Sequence, residues 1–289
     1  MADEGAATAG PPTDDGSGEP PVSSTLQRLW GRDAPRRRGP KPALSVERVV
    51  GAAMEVADAE GLEAVSMARV AESLGYSSMA LYRYVASKDE LLALMADAVA
   101  ADLVLPAYPT GDWRAGLEAW TRAQIDLILA RPWFIDLPLP AVRLGPNRVR
   151  WIDTAFAVLG ELDLTPDEKL QIIGLLAQHV LGEGRVQVET RRAAADAVRR
   201  ERGLPEGTPE SELDQDALDR ANPYYDFETV LQHFATPETH PHLFAALSTS
   251  PPPPAPRHPD GWEDDFGVSL QIVLDGVVAF VEQRLASRR

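Results

Sequence analysis

Apolar residues recur every three or four positions along most of the chain from residue 44 onward, which is the spacing of amphipathic helices. The first predicted helix begins after Ser45 and ends at Gly61, because serine is a favoured N-cap and glycine a favoured stop. Before residue 44 the chain is rich in Pro, Gly, Ser and Asp and has almost no apolar period. That N-terminal segment is therefore predicted to be mostly disordered.

Two short helices joined by a glycine-containing turn follow the first helix. One is predicted to start at Ser66 and end at Gly75, and the next to cover SMALYRYV, residues 78–85. A further helix opens at Ser87, with Glu90 three residues later in the spacing of a capping box. The two short helices have the helix-turn-helix layout, which places its second helix in the major groove of DNA.

Beyond residue 105 the apolar spacing stays helical, and no alternating strand pattern is evident. A long helix is predicted after Thr165, which forms a second capping box with Glu168. Residues 203–223 are acidic and rich in turn formers, so they are predicted to be an exposed insertion. Residues 262–289 close the chain as an amphipathic helix.

The pattern as a whole predicts an all-α protein in three parts. Residues 1–43 form an N-terminal arm, acidic at first and basic at its end. Residues 44–104 form a three-helix helix-turn-helix domain, which is expected to bind DNA. Residues 105–289 form a larger helical domain.

The distribution of charge adds a basic segment to this prediction. The chain has 28 Lys and Arg against 44 Asp and Glu, yet residues 35–42, PRRRGPKP, concentrate four cations. Net acidity argues against unspecific coating of nucleic acid, but not against a sequence-specific binder with local positive charge. Two interpretations of the basic run stay open. It is either an arm that follows the DNA backbone or enters the minor groove, or a solvated linker.

Composition and missing motifs exclude several classes of function. There is no cysteine, so disulfides, thiolate metal sites and cysteine catalysis are excluded. No apolar run approaches the roughly 18–20 residues of a membrane-spanning helix, and no secretory signal pattern is present, so a cytoplasmic protein without membrane contact is expected. Phosphate loops, nucleophile elbows and zinc-helix motifs are absent.

Two competing functions depend on isolated features of the sequence. His240 and His242 flank a proline and make a poor metal site, so no metal, no cofactor and no enzyme activity are expected. An all-helical enzyme remains an alternative of another class. The proline-rich PPPPAP, residues 251–256, could serve a protein-interaction module, although a rigid connector explains it better.

Residues 60–92, EGLEAVSMARVAESLGYSSMALYRYVASKDELL, resemble the DNA-binding domain of the TetR (tetracycline repressor) family. That family has a glycine-ended second helix followed by an LY.(H/Y)(V/F)..K..L segment, which stands here as LYRYVASKDEL at residues 81–91. The remainder resembles the family only in helix layout and in its closing helix. The resemblance implies a sequence-specific transcriptional regulator, usually a repressor, released from a palindromic operator by a small-molecule effector; a ligand-responsive activator is the alternative.

The recognition helix is expected to touch DNA through its exposed side chains. Ser77 and Ser78 open it, where free backbone N–H groups favour phosphate, and Met79 and Ala80 are suited to base edges. Arg83 suits a guanine or a phosphate. The full predicted set of DNA-binding residues is Arg36, Arg37, Arg38, Lys41, Ser66, Met67, Ser77, Ser78, Met79, Ala80, Tyr82, Arg83, Tyr84 and Lys88.

The resemblance also assigns roles to three of these residues. It implies that Tyr82 and Tyr84 bind phosphates or pack on sugars, and that Lys88 binds a phosphate. Because the two tyrosines are two residues apart on a helix, they cannot both face the core, so at least one is expected to be exposed. Arg69 is expected to make packing or ion-pair contacts instead of DNA contacts.

The larger domain is expected to hold the effector and the dimer interface. Candidate pocket residues, for which core packing is the competing explanation, are Trp113, Trp120, Gln124, Phe134, Trp151, Phe156, Gln178 and His179. The abundance of acids favours a neutral or cationic apolar effector. One short recognition helix reads few base pairs, so a homodimer is expected.

The apolar stripe of the last helix is the predicted dimer interface, paired with the long helix around residues 170–181 in a four-helix bundle. The alternative is that this stripe packs wholly inside one chain. The stripe consists of Phe266, Leu270, Val273, Leu274, Val277, Phe280 and Val281.

Overall fold

The computed structural model of the chain describes residues 23–31, 44–222, 233–249 and 262–288, without the side chains of residues 247–249 and 262–266. Every regular element within these residues is a helix, which confirms the all-α class. The α-helices are α1 (Ser24–Leu29), α2 (Val46–Glu60), α3 (Met67–Leu74), α4 (Ser78–Leu81), α5 (Lys88–Val99), α6 (Trp113–Ala130), α7 (Pro146–Val158), α8 (Pro166–Arg202), α9 (Gln215–Arg220), α10 (Pro241–Thr249) and α11 (Trp262–Ala286). Short 3-10 turns cover Leu62–Ala64, Ala100–Asp102, Pro132–Asp136, Leu139–Ala141 and Glu210–Glu212.

The ends of α2 and α3 follow the predicted capping signals. The side chains of Ser45 and Ser66 each accept the backbone N–H three residues further on, at 3.3 and 3.1 Å. Gly61 and Gly75 end the two helices at φ of 83° and 74°. Serine satisfies a helix N–H that has no intrahelical partner, and glycine adopts positive φ without steric cost, so both boundaries are local properties.

The two predicted capping boxes differ in the structure. At the start of α8 the box is complete, since Thr165 Oγ1 accepts from Glu168 N at 3.2 Å and Glu168 accepts from Thr165 N at 2.8 Å. At the start of α5 only Ser87 follows the prediction, accepting from Glu90 N at 3.1 Å. The Glu90 carboxylate accepts instead from Ala86 N at 2.5 Å, so that half of the predicted box is wrong.

A helix that the sequence pattern does not predict, α1, lies in the N-terminal arm. Its Leu29 is buried, and the Arg28 guanidinium pairs with the buried Glu90 carboxylate of α5 at 3.1 Å. The Trp30 indole donates to the Leu144 carbonyl at 3.2 Å. The expected disorder of the arm is therefore wrong for residues 23–31. A six-residue helix has too few apolar positions to be recognised, because its stability comes from tertiary contacts.

Helices α2 to α5 surround a first hydrophobic core. Val49, Val65, Leu81, Leu91 and Met95 lie in this core and are inaccessible to solvent. Each such aliphatic side chain contributes about 1.5–3 kcal/mol on burial. Three residues from the segment after α6 also belong to this core, namely Trp133, Leu137 and Ala141. The larger helical part therefore contributes directly to the packing of the helix-turn-helix.

Helices α6, α7, α8 and α11 surround a second core. The rings of Trp120 and Trp151 stack there with centroids 5.7 Å apart, and the Trp120 indole donates to the Trp151 carbonyl at 3.0 Å.

Residues 203–223, predicted to be an exposed insertion, instead include α9, whose Leu218 packs with Val198 of α8 in a small third core. Within the part of the chain that the structure describes, no helix is long and apolar enough to span a membrane.

Candidate nucleic-acid interface and ligand cavity

The recognition element is a single helical turn with a tight turn after it. α4 ends at Leu81, where the prediction continued the helix to Val85, and the Tyr84 amide donates to the Leu81 carbonyl at 2.8 Å in a narrower turn. Leu81 and Val85 are both inaccessible to solvent. These two anchors hold the segment on the first core and turn the residues between them outward.

Five of the predicted DNA-contacting side chains of this element and of the start of α5 are exposed, and we call them the recognition surface: Ser77, Met79, Tyr82, Arg83 and Lys88. Met79 is 74% exposed and Tyr82 47% exposed, which is unusual for an apolar and an aromatic side chain. Tyr84 is half-buried against the first core, so the expectation that at least one of the two tyrosines is exposed is confirmed. The surface combines apolar, hydroxyl and cationic groups.

The other predicted DNA-contacting residues of the helix-turn-helix are placed differently. Met67 is 7% exposed and packs in the first core, so its expected DNA contact is wrong. The Ser66 hydroxyl is used as the N-cap of α3, and Ser78 and Ala80 are half-buried at the start of α4. Met67 follows the N-cap directly, and the fold turns this first helical position inward.

Arg69 forms the ion pair that its position predicts. Its Nη2 lies 2.5 Å from Glu60 Oε1, and its Nε donates to both oxygens of that carboxylate at 3.2 Å. The hydrogen bond from Arg69 lowers the pKa of Glu60 below its usual value. The charge of Arg69 is thereby matched within the chain.

The basic residues Arg36, Arg37, Arg38 and Lys41 lie outside the described residues. The chain on either side of them is attached to the folded protein. Gly31 follows α1, which is docked on α5, and Leu44 is buried in the first core.

A cavity of about 70 Å³ lies between α5, α6, α7 and α8. Its wall is mostly apolar and includes Val99, Leu103, Leu127, Ile128, Phe134 and Val180. Among the described residues, two polar ones line it, Gln124 and Arg148. The Gln124 amide donates to the Trp120 carbonyl at 3.2 Å.

Two of the predicted pocket residues, Gln124 and Phe134, line this cavity. Trp120 and Trp151 are core residues, as the competing explanation has it, and Gln178 points to solvent on α8. The remaining three, Trp113, Phe156 and His179, are half-buried and do not line the cavity. Burial lowers the pKa of His179, against the effect of the nearby Glu183.

Arg148 is a cavity residue that the sequence analysis missed. It lies three residues before Trp151 and seven before Ala155, both buried, so helical spacing places it on the inner face of α7. That spacing was the available signal. Burial lowers the pKa of Arg148, opposed by the charge of Asp97. Its Nε is buried, and no described residue accepts a hydrogen bond from it.

Asp97 of α5 joins the two parts of the chain at the first turn of α7. It is 4% exposed, and its carboxylate accepts the backbone N–H groups of Asn147 and Arg148 at 3.3 and 3.0 Å. It also accepts from Asn147 Nδ2 at 3.0 Å. A side chain at Gly145 would place its Cβ 2.3 Å from Asp97 Cγ, so only glycine fits the approach of this loop to α5.

A second contact between the two parts lies at the end of α6. The Trp133 indole donates to Asp58 Oδ1 of α2 at 2.5 Å. Arg131 Nη1 lies 3.3 Å from Asp102 Oδ2, just after α5. The neighbouring Phe134 faces both cores and lines the cavity. One short segment therefore touches the cavity and the helix-turn-helix.

The predicted dimer stripe of α11 lies mainly inside the chain. Leu270, Leu274, Val277 and Val281 are buried in the second core, so the expectation that they form an intersubunit surface is wrong. Val273 and Phe280 are half-buried on the same core, and the side chain of Phe266 lies outside the described part. The inward stripe is longer and more apolar than the outer face, which is why the periodicity pointed to it.

Both α8 and α11 nevertheless expose apolar residues on their outer faces. On α11 these are Val268 and Ile272, which are 60% and 67% exposed, continued by Gly276 and Ala279. On α8 they include Leu170 and Leu175, while the exposed Leu181 lies at the wall of the cavity.

Comparison with known proteins agrees with this architecture. The family described as "Bacterial regulatory proteins, tetR family" matches residues 49–95, and "Tetracyclin repressor-like, C-terminal domain" matches residues 105–281. The HTH-type transcriptional repressor DrrR1 of Streptomyces coeruleorubidus is 35% identical over 281 residues, which are 97% of this chain and 93% of that protein.

Solved structures have the same fold. ActR of Streptomyces coelicolor, in complex with actinorhodin, matches with a TM-score of 0.55 at 24% identity over 82% of this chain and 96% of that one. A possible TetR family transcriptional regulator of Streptomyces coelicolor A3(2) matches with a TM-score of 0.54 at 25% identity, over 82% and 100%. The chain belongs to the TetR family of bacterial regulatory proteins and is a DNA-binding transcriptional regulator.

Proposed function

We propose that the protein is a repressor that binds a palindromic operator as a homodimer and leaves it when a small molecule occupies the cavity. The recognition surface carries the proposal, since it exposes Met79 and Tyr82 beside cations on a helix-turn-helix. The relative DrrR1 is named a transcriptional repressor, which supports repression over activation. Such a protein acts in the bacterial cytoplasm, where its DNA lies.

We assign a separate role to each of three parts of the chain. Residues 1–43 supply a basic arm, residues 44–104 read DNA, and residues 105–289 bind the effector and the second subunit. The contacts of Trp133 and Phe134 support a route between the last two parts, because their segment touches both α2 and the cavity. A ligand that displaces Phe134 would move Trp133 and with it the DNA-reading helices.

A selection from random double-stranded DNA tests this function. The full chain is expected to enrich an inverted repeat whose two halves are about one helical turn, or a multiple of it, apart, because two equivalent heads read equivalent half-sites. Binding should weaken steeply as salt is raised. Recovery of unrelated sequences, or of none, would contradict a sequence-specific regulator.

We place the dimer interface on the exposed faces of α8 and α11. Replacing Ile272 by aspartate is expected to raise the dimer dissociation constant at least about 100-fold, because two-fold symmetry buries two unpaired carboxylates. Light scattering should then report the 31.4 kDa single chain at concentrations where the parent protein is a dimer. Ile272→Val is the matched control and should stay dimeric. If the Ile272→Asp variant is still a dimer, the interface lies on another surface.

The basic arm is proposed to bind phosphates. Deleting the arm would also remove α1, so the sharper variant changes Arg36, Arg37, Arg38 and Lys41 to glutamine and keeps residues 23–31. The slope of log affinity against log salt is expected to flatten by up to about 7 for the dimer, since both arms lose their cations and each lost phosphate contact contributes about 0.9. Arg200→Gln, at the far end of α8, is the control. An unchanged slope would show that the run is a linker.

A further inference from the structure

The wall of the ligand cavity contains a cation, Arg148, with one buried side-chain N–H that no described residue accepts. Arg148 carries five N–H donors in a planar fork, and its Nε is buried without an acceptor among the described residues. A buried donor left without a partner costs about 1–3 kcal/mol, and more when it is charged. A ligand oxygen placed against this guanidinium would remove that cost. The cavity therefore favours a ligand that carries a hydrogen-bond acceptor.

The nearby carboxylate of Asp97 does not fill this role. Its two oxygens accept from the backbone of Asn147 and Arg148 and from the Asn147 side chain, so they hold the first turn of α7. The charge of Asp97 raises the pKa of Arg148, against the larger lowering by burial. Gln124, the other polar residue in the wall, is turned to the Trp120 carbonyl. Among the described residues that line the cavity there is no aspartate or glutamate.

The other residues of the cavity wall determine the polarity of the rest of the ligand. Aliphatic and aromatic side chains such as Leu127, Ile128 and Phe134 surround the space, so most of the ligand must be apolar. The cavity of about 70 Å³ is smaller than the roughly 300–1,000 Å³ of ligand pockets, so binding has to separate α6 from α8. Arg148 lies on α7, and its backbone N–H donates to Asp97 of α5. We therefore expect Arg148 to keep its position while α6 and α8 separate.

We propose that Arg148 selects the effector, and that the effector is a largely apolar molecule with one anionic oxygen group, such as a carboxylate, phenolate or enolate. This inference rests on the proposed function of the cavity and names the ligand class for it. It reverses the expectation, drawn from the overall acidity of the chain, of a neutral or cationic effector. The local field of a cavity is set by its own wall, and the charge that the described residues place in this wall, that of Arg148, is positive.

The test compares two probes of the same shape, 2-naphthoate and its neutral amide 2-naphthamide, by titration calorimetry on the full chain. The parent protein is expected to bind naphthoate at least tenfold more tightly than naphthamide. In Arg148→Gln that preference should disappear through loss of naphthoate affinity, while naphthamide affinity stays within about twofold. The thermal midpoint of Arg148→Gln should stay close to that of the parent, because removing a half-buried charge offsets the lost attraction to Asp97.

Two further variants separate the possible failures. Arg150→Gln changes an exposed arginine of the same helix and should keep the preference for naphthoate. Ala177→Phe fills the cavity and should abolish binding of both probes. If Ala177→Phe blocks binding but Arg148→Gln does not alter the preference, the role of Arg148 is wrong and the cavity stands. If Ala177→Phe leaves both probes bound, or if neither probe binds the parent protein, both assignments are overturned.

Discussion

Replacing Tyr82 and Arg83 together by alanine is expected to lower affinity for the selected operator at least about 1,000-fold. Both side chains are exposed, and among the described residues neither belongs to a hydrophobic core or to an ion pair. Contacts of this kind contribute about 1–3 kcal/mol each, and a dimer loses them in both heads. Fluorescence anisotropy with a labelled operator measures the loss, and circular dichroism should show an unchanged helix content.

Arg69→Gln is the matched control for this double variant. It removes a cation from the same helix-turn-helix, but that cation is paired with Glu60. Exposed ion pairs contribute little to stability, so both fold and affinity should stay close to the parent. Tight operator binding by the Tyr82 and Arg83 variant would mean that another surface reads the DNA. A large loss in Arg69→Gln would show that α3 takes part.

Replacing Asp97 by alanine is expected to lower the free energy of unfolding by about 2–4 kcal/mol. The change removes three hydrogen bonds and leaves two N–H groups at the start of α7 without their acceptor. It also removes the nearest negative charge from Arg148. Urea unfolding at one fixed protein concentration measures the change, since a dimer's stability depends on concentration.

Asp89→Ala is the control for Asp97, because it changes an exposed carboxylate of the same helix α5. Its unfolding midpoint should differ little from that of the parent. Asp97→Asn keeps one acceptor oxygen and should fall between the two. An Asp97→Ala variant as stable as the control would show that water replaces the carboxylate at the start of α7.

Much of the fold could be predicted because its signals are local. Serine and threonine caps, glycine stops and the spacing of apolar residues act within one or two helical turns, so Ser45, Ser66, Gly75 and Thr165 defined their boundaries correctly. The helix-turn-helix could also be recognised, because two short helices crossing at a small-residue turn leave a compact pattern. The spacing of Tyr82 and Tyr84 predicted that at least one of them is exposed, and packing decided that it is Tyr82.

The candidate sites were less predictable, because they depend on which face of a helix meets which neighbour. Periodicity found the apolar stripe of α11, yet it does not distinguish a core of one chain from an interface of two. The tertiary structure buries Leu270 and Leu274 against α6 and α8 and leaves Ile272 outside. Likewise, nothing near Met67 in the sequence indicates that the first position of α3 faces inward.

The sequence by itself determined the helical class, the caps and the DNA-reading segment, since these follow from interactions between residues close along the chain. Only the tertiary structure decided that α1 docks through Arg28 on Glu90, that Asp97 holds the start of α7, and that Arg148 lines an apolar cavity. Those features join residues about 50 or more positions apart, and their energies depend on burial and on the local field, which packing alone establishes.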